Sequence, residues 1–273
     1  MELGLLQARN GLYLGQRTSF TDGADIGLVR QRRKSTYPMV SSERGVVLDG
    51  VNDFVDFTGT GHTQPSASST YEFLFNLTPT VNQVNYLVGS VGVAASNFSI
   101  GSPLDEKLQS ITYAPGSSTL NCSVTKNFLY AYGQLTHVVI VHYSIYDGIL
   151  QRGNGTQSAD FYVNGKWVGW GTCSNTADSL GVSFGYFGKR FTADTFFPGK
   201  IYFARAYDGY LMTPKDVVYQ YNDGKFMPPL EIRNNQSTIA KHFYADFGTL
   251  TELAIPTRTF ALQGGATIEG IPY

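Results

Sequence analysis

The chain is poor in charged residues and in long regular patterns. Charged side chains make up 15% of its 273 residues, and the formal net charge is −1. Near-neutrality argues against a nucleic-acid partner held by bulk basic charge. Long helical periodicity is absent, which disfavours a helical fold. No stretch approaches the roughly 20 apolar residues of a membrane-spanning helix, so membrane insertion is not expected.

Targeting and catalytic motifs are also missing from the sequence. The first seven residues lack a basic region and break their apolar run early, so we do not expect them to act as a signal peptide. The chain has no nucleophile elbow, zinc-protease motif, phosphate loop or Cys-x-x-Cys pair. Retaining glycosidases need two neighbouring carboxylates, but Glu72 is the only carboxylate in its predicted strand. We therefore expect no enzymatic activity.

Aromatic residues and glycine are abundant, with 18 Tyr, 18 Phe and 30 Gly. Short apolar runs alternate with turn signals, which is the pattern of an antiparallel β-sandwich. One short helix is predicted at 213–221, where Thr213 can cap the first turn and Pro214 follows it. Strands are predicted at 86–91, 98–100, 111–113, 128–130, 137–143, 161–163, 182–187 and 201–207.

The segment 45–57 carries the most information. Two apolar runs in it flank the turn-forming residues Asp49-Gly50 and Asn52-Asp53. Residues 53–57 alternate between polar and apolar, as a strand with one buried face does. We predict a β-hairpin with acidic side chains at its tip.

This segment and four later passages resemble, in order and spacing, the laminin-G-like, concanavalin-A-like jelly-roll domains. The resemblance implies an all-β, two-sheet antiparallel jelly-roll sandwich with one short helix and terminal extensions. Leu135 departs from the family pattern, because tryptophan is usual there. The later passages are 69–75, 133–141, the Tyr-Val-Asn-Gly turn within 159–168, and the closing strand and helix within 197–219.

The resemblance divides the chain into three parts. Residues 1–44 form an N-terminal arm, 45–228 the laminin-G-like domain and 229–273 a C-terminal β extension. The extension lies outside the usual family unit but contains many Phe, Tyr, Ile and Leu residues. A disordered tail is not so apolar. We expect the sandwich to be complete near Asn222 and the extension to pack on it or on another subunit, as an assembly element.

A calcium site is predicted at the acidic tip. Asp49, Asn52 and Asp53 offer oxygens, and Ca²⁺ takes six to eight oxygen ligands. Asp208, at the end of the closing strand, is a fourth donor if that strand lies beside the tip. The resemblance adds that such domains often hold one Ca²⁺ near a rim. The alternative is that these residues are simply good turn formers.

Aromatic rings beside polar groups are the candidates for glycan binding, because sugars stack on flat rings and hydrogen-bond to planar polar groups. Trp167 and Trp170 are the only tryptophans. Three residues apart on a regular strand, they would face opposite sides, one buried and one exposed. Each candidate also fits a packing role. The candidates are Tyr146, Asn154, Trp170 and Tyr186.

The remaining reactive residues suggest no catalytic centre. His137 and His142 are five residues apart, so on one strand they point to opposite faces and share no metal. Cys122 and Cys173 could pair, but two unpaired thiols are the simpler interpretation.

Three classes of function are compatible with the sequence. The first is a non-enzymatic structural or adhesive protein with a lectin-like jelly roll, such as a virion or phage surface, decoration or fibre component. It would associate with itself or with other virion proteins, and with a host-surface glycan. The second is a secreted or cell-surface glycan-binding module. The third is a glycoside hydrolase or lyase, although the sequence lacks the paired carboxylates that a retaining glycosidase needs. The first class places the protein on a virion, and the second places it at an extracellular surface.

Overall fold

The structure of the protein is a computed structural model whose described part is a two-sheet antiparallel β-sandwich. The described residues are 44–57, 68–78, 84–89, 97–101, 108–114, 124–129, 133–143, 158–172, 184–190, 195–221, 242–246, 251–252 and 260–269.

The elements follow one another along the chain as sixteen strands and one helix in these described ranges. They are β1 (Gly45–Asp49), β2 (Phe54–Asp56), β3 (Ser69–Leu77), β4 (Val84–Gly89), β5 (Asn97–Gly101), β6 (Leu108–Ala114), β7 (Val124–Leu129), β8 (Leu135–Tyr143), β9 (Ser158–Val163), β10 (Lys166–Thr172), β11 (Tyr186–Phe187), β12 (Pro198–Asp208), α1 (Pro214–Tyr221), β13 (His242–Asp246), β14 (Thr251–Glu252), β15 (Ala261–Gln263) and β16 (Thr267–Glu269).

The strands form one nine-stranded and one seven-stranded sheet. The nine-stranded sheet has the order β10-β9-β8-β3-β12-β1-β16, with β13 also paired to β12 and β14 to β13. The seven-stranded sheet has the order β15-β2-β11-β4-β5-β6-β7. The predicted jelly-roll sandwich with one short helix is confirmed.

The core lies between the sheets and is rich in phenylalanine. Alternate residues of β3, among them Tyr71, Phe73 and Phe75, point into it. Phe98 of the facing sheet meets Tyr71 and Phe73 with ring centroids 4.9 Å apart in each case. The other residues of β3, including Glu72, therefore point to the outer face of the nine-stranded sheet.

The predicted hairpin at 45–57 is wrong. β1 pairs with β12 and β16 in one sheet, whereas β2 pairs with β11 and β15 in the other. The turn between them carries the chain across the sandwich. Val46 and Val55 reach the same core from opposite sides. Turn residues between two alternating runs do not distinguish these connections, because both bury one face of each run.

The described strands of the C-terminal segment belong to the sandwich. β13 and β16 extend the nine-stranded sheet and β15 the seven-stranded one. Phe260 is 6% exposed, and its ring centroid lies 5.0 Å from that of Phe57 in the core. This corrects the expectation that the sandwich is complete near Asn222. The long gap in sequence had hidden the pairing with strands formed far earlier in the chain.

The β1–β2 turn and the β15–β16 turn are hydrogen-bonded to each other where the chain crosses between the sheets. The backbone N–H of Gly265, between β15 and β16, donates to Asp53 Oδ1. Gly264 has φ of +76°, and a Cβ there would lie 2.5 Å from the carbonyl oxygen of Asn52. Only glycine fits at this position, because φ is positive and a Cβ would collide with the backbone of Asn52.

Helix α1 covers part of the outer face of the nine-stranded sheet. Thr213 Oγ1 accepts from the N–H of Asp216 at 3.2 Å, and Asp216 Oδ2 accepts from the N–H of Thr213 at 3.0 Å. This reciprocal cap fixes the helix start as predicted. Val217 then packs with Val139 and Val141 of the sheet. In the part of the chain that the structure describes, no helix has the length and apolar character to cross a bilayer.

Candidate functional site

Both tryptophans lie on the same face of the edge strand β10. Trp167 pairs with Tyr162 and Trp170 with Asp160, while a β-bulge between Trp167 and Gly169 absorbs one residue. Directly paired residues share a face. The bulge therefore turns a three-residue spacing, which would place the rings on opposite faces, into neighbouring positions on one face. The predicted division into one buried and one exposed tryptophan is wrong.

These two rings are unusually exposed. Trp167 is 53% and Trp170 is 43% exposed, although tryptophan is mostly buried in folded proteins. They lie on the outer face of the nine-stranded sheet, the same face that carries α1. We call this pair, with Asp160 and Tyr143 beside it, the aromatic platform.

The platform is built around a buried carboxylate. Asp160 is 2% exposed. Trp167 Nε1 donates to its Oδ1 at 3.0 Å, and the Tyr143 hydroxyl donates to its Oδ2 at 2.8 Å. A carboxylate accepting two such bonds holds both rings in place. The indole of Trp167 is therefore fixed while much of its surface stays in water.

A second buried carboxylate lies on the same face, nearer the centre of the sheet. Glu72 Oε1 lies 2.9 Å from His137 Nε2, and its Oε2 lies 3.1 Å from Arg205 and 2.7 Å from the Tyr207 hydroxyl. All four side chains are at most 2% exposed. We call them the buried ionic network.

The network keeps Glu72 ionised. Burial alone would raise its pKa, but the charge of Arg205, the hydrogen bond and charge of His137 and the Tyr207 hydroxyl together outweigh burial and hold the pKa at about 2. The Glu72 charge likewise raises the pKa of Arg205 although burial opposes this. The guanidinium carbon lies 3.7 Å from the ring centroid of Phe203. Because all four side chains are buried and both oxygens of Glu72 contact the other three, this network is a structural unit.

The β9–β10 turn connects the network to the platform. Asn164, with φ of 49°, and Gly165, with φ of 74°, form the predicted Asn-Gly turn. Asn164 Oδ1 accepts from the N–H of His137 at 2.9 Å. The ring of Tyr221, at the end of α1, stacks on His137 with centroids 6.0 Å apart. The hairpin that carries Trp167 is thereby attached to the centre of the sheet.

Tyr186, another predicted glycan contact, lies on the opposite side of the sandwich. Its neighbour Phe187 points into the core, so Tyr186 faces outward from the seven-stranded sheet. The ammonium of Lys189 lies 3.6 Å from the ring centroid of Phe54 and 4.4 Å from that of Tyr186. Burial lowers the pKa of Lys189, and the charge of Asp56 opposes this. Tyr186 and Trp170 therefore do not form one site.

In the acidic turn between β1 and β2, the carboxylate oxygens accept hydrogen bonds from backbone N–H groups. Asp49 Oδ1 accepts from the N–H groups of Val51 and Asn52, at 2.8 and 3.2 Å. Asp53, 5% exposed, accepts from the N–H groups of Asp49 and Gly265. The backbone N–H of Val51 is the largest cause of a lowered Asp49 pKa.

Asp208 does not complete a cation site with this turn. Asp49 pairs with Pro198 at the start of β12, whereas Asp208 is the last residue of that eleven-residue strand. Ten residues of strand span roughly 33 Å, so the two ends of β12 are too far apart to share an ion. Among the described residues, no group of three or more His, Cys, Asp or Glu side chains could hold a metal.

Several sequence-based candidates lie outside the described residues: Tyr146, Asn154, Cys122, Cys173 and residues 1–43 of the arm. The two histidines are described, and they face opposite sides as predicted. His137 contacts Glu72 on the outer face, and His142 pairs with Ala159, which points into the core.

Sequence reasoning found Trp170 but missed Trp167, Asp160 and Tyr143. The usable signal was Gly169, because a glycine inside a strand often marks a bulge. A bulge between two tryptophans three residues apart places them on one face. The contact of Asp160 with Tyr143 depends on the pairing of β8 with β9, which the local sequence does not encode.

Comparison with known families identifies the class of protein. The Laminin_G_3 family model, described as the concanavalin A-like lectin/glucanases superfamily, matches residues 49–218. The match covers more than half of the chain, and the protein belongs to this family. The resemblance found in the sequence is confirmed. A search of the curated proteins finds no match.

Solved structures are similar to this chain at low sequence identity. The native heptameric SAP-like pentraxin from Limulus polyphemus is 13% identical, with a TM-score of 0.52 over 84% of this chain and 95% of the pentraxin chain. The Ruminococcus gnavus IT-sialidase CBM40 bound to α2,3-sialyllactose is 10% identical, with a TM-score of 0.44 over 67% of this chain and 98% of that chain. At these identities, the pentraxin likeness shows a shared fold and nothing further.

Proposed function

We propose that this protein is a non-enzymatic glycan-binding protein and that its aromatic platform is the binding surface. The observation that carries the proposal is the exposure of both tryptophans, 53% and 43%, on one face of the edge strand. Membership of a family that includes lectins supports it.

The chemistry of the platform suits a saccharide. Sugar rings present C–H faces that pack on aromatic rings, and the two indoles offer flat apolar surface for this contact. The half-buried Tyr143, whose hydroxyl donates to Asp160, supplies a polar group beside the rings. The hydrogen bond from Trp167 to Asp160 holds one indole in a single orientation before ligand arrives. Such preorganisation lowers the entropic cost of binding.

A glycan array tests the proposal, with wild type, Trp167→Ala, Trp170→Ala and the control Val218→Ala. Val218 is 57% exposed on α1, so its substitution also removes exposed apolar surface. We expect each tryptophan variant to lose at least about tenfold in affinity for the selected glycan, which is about 1.4 kcal/mol, and the control to bind normally. Tryptophan variants that bind as wild type would show that the platform is not the glycan site.

The absence of enzymatic activity remains a prediction. Glu72 is available to no substrate, because it is fully buried and its oxygens contact His137, Arg205 and Tyr207. Asp160 is also almost fully buried and accepts from Trp167 and Tyr143. Neither carboxylate is placed as an acid or nucleophile, so we expect the bound glycan to be released unchanged.

Calcium binding by Asp49, Asn52 and Asp53 also remains a prediction. The bonds from backbone N–H groups to both aspartates compete with a cation for the same oxygens. Melting with and without a chelator measures it, because an ion bound only to the folded state raises the melting temperature.

A structural role on a virion or cell surface, with self-association or binding to other virion proteins, is the alternative proposal. One argument for this alternative was that the apolar residues of the C-terminal extension had no predicted place in the core of the sandwich. Phe260 packs in the core of this chain, and Leu262 and Ile268 pack against that core. These residues therefore do not require a neighbouring subunit, and glycan binding is the function that the geometry supports better.

A further inference from the structure

The aromatic platform is longer than it is wide. Trp167 and Trp170 pair with Tyr162 and Asp160, which are two residues apart on β9. Two residues of strand span about 7 Å, so the indoles follow each other along β10. Trp167 donates to Asp160, the residue paired with Trp170, so its indole leans toward the other tryptophan.

On the neighbouring strand β9, the residues paired with the tryptophans expose almost no surface. Tyr162 is 6% exposed and Asp160 is 2% exposed, although both are paired with the tryptophans. One strand further, Val139 and Val141 are covered by the segment that contains Met212 and Val217. The strongly exposed surface is therefore a stripe of two indoles parallel to β10, with α1 on one side and the half-buried Tyr143 beside it.

We infer that the platform binds two or more consecutive sugars of an extended oligosaccharide, with the chain running along β10, and does not select a single terminal sugar. This inference rests on the proposed glycan binding. One pyranose ring covers about one indole. The next sugar of a linear chain lies about one ring length away, which matches the step between the two tryptophans.

The stripe predicts how affinity depends on chain length. A monosaccharide can contact only one indole at a time. A second linked sugar adds the other contact without a second loss of translational and rotational freedom. Affinity should therefore rise at least about tenfold between one unit and two or three units, and then level off because no third exposed ring follows in the described part of β10.

Calorimetry with saccharides of one to six units tests this inference. The probes are the linear homo-oligomer series of glucose, mannose, galactose and N-acetylglucosamine. The proteins are the 273-residue wild-type chain, Trp167→Ala, Trp170→Ala, Trp167→Phe and the control Val218→Ala. We expect the gain with length in wild type, Trp167→Phe and the control, and a flat series in both alanine variants. Trp167→Phe keeps a ring and checks that loss of stacking is the cause.

The outcomes separate the two proposals. Equal affinity for one unit and six units, or a gain that survives both alanine substitutions, would overturn the oligosaccharide inference and leave glycan binding standing. A wild-type protein that binds none of the series and no glycan on the array would overturn the proposed function, and this inference with it.

Discussion

Glu72 and Asp160 are two buried carboxylates on one face of one sheet, yet their surroundings differ. Glu72 lies near the centre and contacts Arg205, His137 and Tyr207, all buried. Asp160 lies near the edge and accepts from Trp167 and Tyr143. At the centre the partners are charged or fully enclosed, whereas at the edge they are neutral aromatic residues that reach the surface.

The difference shows how one chemical group serves two purposes. A buried carboxylate needs donors in either place, because an unpaired buried charge is very costly. Charged, enclosed donors make a closed unit that contributes to the fold. Each aromatic donor gives the carboxylate one N–H or O–H hydrogen bond, so its ring can still contact solvent or a ligand. Trp167 is 53% exposed despite its bond to Asp160.

The strongest test of the comparison is Glu72→Gln. This change leaves Arg205 buried without its counter-charge, and breaking a buried ion pair costs about 3–5 kcal/mol. The melting temperature should fall by roughly 10 °C, at 2–4 °C per kcal/mol for a chain of this size. Chemical unfolding and calorimetry measure both quantities.

Glu269→Gln is the matched control for that variant. Glu269 is exposed on β16, so the same chemical change should cost no more than about 0.5 kcal/mol. Equal effects of the two substitutions would mean that the buried ionic network does not stabilise the fold. The refolded Glu72→Gln variant should still bind glycan, because the side chains that contact Glu72 are His137, Arg205 and Tyr207 and none of these belongs to the platform.

A smaller effect is expected in acid. The pKa of Glu72 is about 2 in the folded protein and 4.5 as its ordinary value. Because the folded-state pKa is depressed, its stabilisation is complete above pH 4.5 and is lost as the pH falls toward 2. The difference in unfolding free energy between wild type and Glu72→Gln should therefore shrink between pH 6 and pH 3. Urea titrations at several pH values measure this, and a difference independent of pH would contradict it.

Much of the fold could be predicted from the sequence, because strand alternation and turn residues are local signals. The strand at 137–143, the helix after Thr213 and the Asn164-Gly165 turn lie where predicted. The partner of each strand is not a local property. The sequence therefore predicted a hairpin for β1 and β2, and it did not place β13 beside β12.

The candidate site was predicted less well for the same reason. Trp170 was identified as an exposed ring, but a single bulge decides that Trp167 joins it. Asp208 was added to the acidic tip on the condition that the closing strand lies beside the tip. That strand does pair with β1, but Asp49 pairs with its first residue and Asp208 is its eleventh.

Substitution of Asp160 should change stability less than Glu72→Gln does, and it tests directly whether this residue positions Trp167 for glycan binding. Asp160→Asn keeps an acceptor for Trp167 and replaces two charge-assisted bonds by neutral ones, so it should cost about 1 kcal/mol. Asp160→Leu removes the acceptor of both hydrogen bonds and should cost about 2–3 kcal/mol, less than Glu72→Gln because Trp167 and Tyr143 can turn to water. Glycan affinity should fall more in Asp160→Leu than in Asp160→Asn, since only the leucine variant releases the Trp167 ring. Calorimetric titration at a temperature where both variants are folded measures this, and equal affinity in both would show that Asp160 does not position the ring.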